Sequence, residues 1–205
     1  MATATSAGKG SESYSLMGLL SEFKTVKAGS ARRPRVLYLV SSLLERSIGK
    51  SKKKLLELLG PRRRELEDGV TIFDRTRAPS LSIGQYLDRI FRYSSCSNSC
   101  FIVALIYMDR FLQRTGAFLT SLNVHRLVIT SVMVAAKFMD DECYSNAYYA
   151  KVGGVSTAEI NNLEIKFLST LDFRLHVTTE VFDNYCIQLR KEGTAASNNQ
   201  TDRAP

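Results

Sequence analysis

The chain has 205 residues, 44% hydrophobic and 23% charged, a balance that excludes a wholly disordered polymer and suits one domain with tails. Its formal charge of +8 sits early in the chain: residues 1–79 hold 16 Lys/Arg against 8 Asp/Glu, and the remainder carries 12 of each. Such a basic arm suits nucleic acid, an import receptor or an acidic surface, but a charge run is equally a solvated face, so charge does not decide function. The first 15 residues lack the apolar core of a secretory signal, and the most apolar stretches, 101–108 and 127–139, fall short of the roughly 18 uncharged residues of a membrane span. No membrane association is expected.

Residues 1–15 read as disordered. Leu16, Leu19, Leu20 and Phe23 then follow the i, i+3, i+4, i+7 spacing of a short amphipathic helix. Pro34 suits the first turn of a stronger helix, with Val36, Leu37, Val40, Leu43 and Leu44 on one side before Gly49 loosens it. A basic continuation (Lys52, Lys53, Lys54, then Leu55, Leu56, Leu58 and Leu59) stops at Gly60-Pro61, so residues 16–60 form an N-terminal helical region. Residues 61–79 are charged, contain Gly69 and Pro79, and read as a linker.

From residue 80 to about 190 the pattern predicts five helices. In the first, Ser82 and Gln85 form a capping box, and Ile83, Tyr86, Leu87, Ile90 and Phe91 share one stripe. The second, 99–114, is apolar nearly all round and must be enclosed by others; the third opens at Asn123 and is equally apolar to Phe138. A connection containing Tyr and ending in Gly153-Gly154 leads to a second capping box, Ser156 and Glu159, before the stripe Ile160, Leu163, Phe167, Leu168 and Leu171. The fifth helix starts near Thr178 or Thr179 and buries Val181, Phe182, Tyr185 and Leu189; the tail from 191 to 205 is expected to be disordered. No period-two alternation accompanies the β-branched runs, so the fold class is all-α.

The sequence lacks the phosphate-loop, dinucleotide, zinc-protease and nucleophile-elbow motifs. His125 and His176 have no nucleophile pinned beside them and read as structural or surface groups, and the protein is not expected to be an enzyme. Cys96, Cys100, Cys143 and Cys186 read as reduced, buried thiols, since no Cys or His follows the first two at zinc-knuckle spacing. The acidic triplet Asp140-Asp141-Glu142 lacks the spaced ligands of a calcium loop and reads as a solvated helix end. No metal or cofactor is expected.

Charge inside apolar stripes is the feature that calls for explanation. Glu164 lies four residues from both Ile160 and Leu168, Lys137 interrupts Ala135-Ala136 and Phe138-Met139, and Asp109-Arg110 falls late in the second helix. Each is either an internal ion pair or snorkelling chain, or, for Lys137 and Glu164, a group at the bundle's edge that hydrogen-bonds a partner inside an apolar ring.

Tyr107-Met108-Asp109-Arg110-Phe111, His125-Arg126-Leu127, Ala135-Ala136-Lys137-Phe138 and Leu163-Glu164 resemble, in order and spacing, a cyclin box. Asn146-Ala147-Tyr148-Tyr149-Ala150-Lys151-Val152-Gly153-Gly154-Val155 narrows the resemblance to the P-type (U-type) cyclins of plants, which are similar to the phosphate-signalling cyclins of fungi. The resemblance implies a single five-helix cyclin box over 80–190 with additional N-terminal helices. It implies a regulatory subunit that binds and activates a cyclin-dependent protein kinase, A-type-like or of the phosphate-signalling type, in cell-cycle or nutrient control, located in the nucleus or cytoplasm. It gives Lys137 and Glu164 as kinase-binding residues and Asp109 as box-stabilising. Ser80-Leu81-Ser82-Ile83 departs from the Arg-containing substrate-docking motif of cell-cycle cyclins, so docking by that route is not expected. The alternative is a basic helical adaptor of the cyclin-like fold acting with nucleic acid or the transcription machinery.

Overall fold

The computed structural model describes residues 34–59 and 72–201. Among these it contains seven α-helices and no strand: α1 Arg35–Leu59, α2 Ile83–Ser94, α3 Asn98–Thr115, α4 Val124–Met139, α5 Asn146–Gly153, α6 Thr157–Thr170 and α7 Thr179–Thr201. The helix expected over 16–23, the disordered start and residues 60–71 lie outside the described residues.

The apolar stripes dictate the arrangement. Every residue of α3 from Cys100 to Met108 is buried, and so is every residue of α4 from Leu127 to Ala136, which places these two helices against each other at the centre. α1 lays Val36, Leu37, Val40 and Leu44 across α2, α3 and α7. It runs unbroken through Gly49, where an added Cβ would meet open space; the roughly 1 kcal/mol that glycine costs a helix is offset by the packing of the preceding turns.

Start signals are realised as hydrogen bonds. At α2, Gln85 N–H donates to Ser82 Oγ (3.2 Å) and Ser82 N–H returns to Gln85 Oε1 (3.1 Å), the complete capping box. At α6, Glu159 N–H donates to Ser156 Oγ (3.1 Å), but the Glu159 carboxylate pairs with Arg126 of α4 and ties the two helices together.

Three findings depart from the sequence reading. The connection before Gly153-Gly154 contains α5, whose cap is Tyr148 N–H to Ser145 Oγ (3.4 Å) and whose end is Gly154 at φ +68°. Eight residues give barely two turns of periodicity, which is why the helix is hard to see in sequence. Residues 72–79, assigned to a linker, hold the fully buried Phe73, whose ring lies 4.9 Å from that of Phe111 and 6.2 Å from that of Phe167. Arg126 Nη1 binds the segment by donating to the carbonyls of Ile72 (3.1 Å) and Asp74 (2.6 Å), so one aromatic anchor and one arginine order a stretch whose composition is polar. Finally, α7 extends to Thr201, through residues 191–201 of the expected disordered tail. A helix already nucleated adds one hydrogen bond per residue, and composition alone does not register that cooperativity.

Candidate partner-binding site

α4 ends on Lys137-Phe138-Met139, and α5 and α6 bring Asn146 and Glu164 to the same place. Lys137 Nζ donates to Glu164 Oε1 at 2.7 Å and also to Asn146 Oδ1. The Asn146 amide donates to Glu164 Oε2 (2.7 Å) and to Asn161 Oδ1 (2.7 Å). The two charges singled out in the sequence therefore form one ion pair, on the bundle's surface and not in its core. Asn146 and Asn161 complete the cluster and carry no signal in an apolar periodicity.

Phe138 and Met139, the two residues after Lys137, line a groove of about 360 Å³ between α3, the end of α4 and the start of α7, together with Val103, Tyr107, Val177 and Phe182 among others. Phe138 and Met139 remain substantially exposed although both are apolar. Nearby in sequence to the groove's wall, Phe173 is 70% exposed and follows a helix end of unusual geometry. Asp172 and Phe173 both lie in the left-handed region, at φ +54° and +53°. Phe173 N–H reaches back to Leu168 O (3.0 Å) and Asp172 N–H to Ser169 O (3.1 Å), the paired bonds of a Schellman cap in which Asp takes glycine's usual place. A bulky residue at positive φ is rare, and here the paired capping bonds hold it. Sequence reading did not select Phe173; the signal was an aromatic directly after Leu171-Asp172, past the last apolar position of its stripe.

The C-terminal half of α3 fixes the chain between α6 and α7. Tyr107 Oη donates to Leu175 O (2.7 Å), Arg110 Nη1 to the carbonyls of Arg174 and His176 (3.1 Å each), and Arg114 Nη1 to Thr170 O (3.1 Å). Arg110, anomalous as a charge in an apolar stripe, thus supplies donors to carbonyls that no helix satisfies. Burial pushes the Tyr107 hydroxyl up to about 12, so it stays a donor at any physiological pH. Asp109 faces the other way and accepts the Tyr185 hydroxyl of α7 at 2.7 Å; burial raises its carboxyl above the ordinary value, and that hydrogen bond opposes the rise.

The remaining candidates separate. Cys96, Cys100 and Cys186 are buried free thiols, whereas Cys143 is exposed, contrary to expectation, because it lies in the loop between α4 and α5. Asp140 is more than a solvated helix end: its Oδ2 accepts Ser97 N–H (3.0 Å) and Cys100 Sγ–H (3.3 Å), placing a carboxylate at the N-terminus of α3. His125 Nε2–H donates to Leu81 O (2.9 Å) and the ring meets Tyr86 edge-on, a structural role; His176 lines the groove. Among the described residues no three His, Cys, Asp or Glu side chains are grouped to hold a metal ion, and no helix is long and apolar enough to cross a membrane.

Fold and site together give an all-α bundle with an apolar groove whose rim residues Phe138 and Met139 directly follow Lys137. Residues 35–175 match the Cyclin family. The chain is 49% identical over 190 residues to Cyclin-P3-1 of Oryza sativa subsp. japonica, covering 93% of this chain and 77% of that protein. It is 49% identical over 182 residues to Cyclin-U3-1 of Arabidopsis thaliana (89% and 78%), and 46% identical over 160 residues to Cyclin-U4-2 of the same plant (78% and 71%). The chain belongs to the cyclin family, within the P-type and U-type cyclins of plants. Its role is accordingly that of a cyclin regulatory protein.

Proposed function

We propose that this chain binds a cyclin-dependent protein kinase through the groove between α3, α4 and α7 and switches it on, with control of cell division or of phosphate signalling as the output. The observation that carries the reading is the juxtaposition of the Lys137–Glu164 pair with exposed Phe138 and Met139 at the rim of the groove. A partner helix laid there buries the apolar wall, and the charged pair at its edge offers a donor and acceptors to the partner's backbone where water is excluded. Asp109 acts behind the groove: its bond to Tyr185 holds α7, which forms one wall.

The kinase carries the catalytic groups. An active kinase needs its strand lysine paired with the glutamate of its mobile helix, and a subunit that binds only the paired arrangement shifts the population toward it. Moving that equilibrium from 1:99 to 99:1 requires about 5.5 kcal/mol of differential affinity, within reach of an interface of roughly 1,600 Å². The test is capture of cyclin-dependent kinases from plant extract by the wild-type chain and by Lys137→Glu combined with Glu164→Ala, with helicity followed by circular dichroism. Capture lost at unchanged helicity supports the reading. Undiminished capture by the double variant removes both residues from the interface. Salt-sensitive retention of nucleic acid without any kinase would favour the adaptor alternative.

A further inference from the structure

From the polar cluster beside the groove we infer that Asn146 is a positioning residue for partner binding: its side-chain amide clamps Lys137 and Glu164 in the arrangement the partner meets. This rests on the proposed kinase-binding role of that pair.

Asn146 Oδ1 accepts from Lys137 Nζ, and both Nδ2 hydrogens are engaged, one by Glu164 Oε2 (2.7 Å) and one by Asn161 Oδ1 (2.7 Å). Lys137 spends a second hydrogen on Glu164 Oε1 (2.7 Å). An ammonium has three donors, so one remains, and each Glu164 oxygen keeps acceptor capacity. Without Asn146 the same pair is a lysine on a flexible four-carbon stem beside a carboxylate free to rotate, and an exposed pair of that kind gains little. With Asn146 the free donor and acceptors have fixed directions. Their ordering is done before the partner arrives, which lowers the cost of association.

The placement is structural in origin. Asn146 is the first residue of α5, one position after the Ser145 cap, so the short helix fixes its backbone while its amide spans from α4 to α6. Each of the three helices contributes to the cluster, and no two of them could build it. Aspartate cannot substitute, because a carboxylate has no hydrogens to offer Glu164 and would stand beside it as a like charge.

Two measurements decide the matter. In the isolated chain, the Asn146 side-chain amide hydrogens, observed by ¹⁵N nuclear magnetic resonance, exchange with water severalfold more slowly than those of the exposed Asn162, and Glu164→Ala speeds the hydrogen that Glu164 holds while the one bonded to Asn161 stays slower. Equal exchange rates at Asn146 and Asn162 would overturn the clamp whether or not a kinase binds. In the second, affinity for a purified A-type cyclin-dependent kinase is measured by calorimetry. Asn146→Ala weakens binding about tenfold in the wild-type background and less than twofold in a Lys137→Ala background, since a residue acting through Lys137 has nothing to position once it is gone. A purely structural role would instead lower thermal stability and affinity equally in both backgrounds, and would overturn the inference. Wild-type binding unaffected by Asn146→Ala overturns the positioning role alone. No binding by the wild-type chain overturns the kinase-binding reading and the positioning role with it, while the exchange result still stands for the clamp itself.

Discussion

The Tyr86 hydroxyl donates to the Gly153 carbonyl at 3.0 Å, joining α2 to the last turn of α5 inside the bundle. A Cβ on Gly153 would stand 2.8 Å from Ile129 Cγ1 and 3.3 Å from that hydroxyl. Ile129 is fully buried and its Cγ1 sits next to its own backbone, so the neighbour cannot swing aside. Gly153→Ala should therefore lower unfolding stability by about 1–3 kcal/mol, the usual cost of overpacking. Urea denaturation measures it; an unchanged midpoint would mean that α5 can move away from α4 freely.

The Asp109–Tyr185 bond predicts a pH dependence. Because the folded carboxyl is raised, chiefly by burial, the folded chain binds more protons than the unfolded one between the ordinary aspartate value and the raised one. Stability contributed by this group thus falls as pH rises through that window and is level above it. Asp109→Asn keeps an acceptor for the Tyr185 hydroxyl and removes the fall, so its stability at neutral pH should equal or exceed that of the wild type. Asp109→Ala leaves that hydroxyl without its partner and should cost about 1 kcal/mol or more at every pH. Thermal melts across the acid range compare the three; superimposable wild-type and Asn curves would contradict the assignment.

His125 acts in the opposite direction. Burial lowers its folded value below the ordinary imidazole one, opposed by the bond to Leu81 O and assisted by Arg75. Below the ordinary value the unfolded chain binds more protons, so stability is lost as pH falls from neutral toward the depressed folded value. His125→Gln retains an N–H for the Leu81 carbonyl and cannot be protonated there. Its melting temperature should decline less than that of the wild type between pH 7 and 5. An equal decline would place the acid sensitivity elsewhere.

Substitution of Phe173 should separate binding from folding. At 70% exposure, replacement by Ser should change stability by no more than about 0.5 kcal/mol, the range typical of surface sites. As an exposed aromatic two residues before the groove-lining Leu175, its loss should weaken kinase affinity by about tenfold or more, the behaviour of an aromatic anchor. A loss of stability without loss of affinity, read by melting and calorimetry on one preparation, would make Phe173 a structural residue.

Long elements were readable because burial imprints a period. The stripes of α2 and α6, the all-round apolar runs of α3 and α4, the Ser82 box and the Ser156 cap all follow from side chains whose position on a helix decides whether water is excluded. α5 was not readable, since two glycines and two turns leave too little periodicity, nor was the buried Phe73, in an apolar pair with the exposed Ile72 that is too short to carry a period. At the site, Lys137 and Glu164 stood out as charges where an apolar residue was expected, and the structure joins them directly. Their partners Asn146 and Asn161 are polar residues at polar positions, so nothing in a hydrophobic pattern marks them; only the meeting of three helices does. Phe173 escaped for a related reason, because its exposure comes from a left-handed helix cap that no periodicity encodes.

The most direct test of the central claim is reconstituted phosphoryl transfer. A purified A-type cyclin-dependent kinase is assayed on a peptide substrate alone, with the wild-type chain, and with the Lys137→Glu, Glu164→Ala variant. The account predicts activity from the kinase with the wild-type chain, little from the kinase alone or with the variant, and none from the chain alone. Equal activity with and without the wild-type chain, under conditions where the two proteins demonstrably bind, would contradict it.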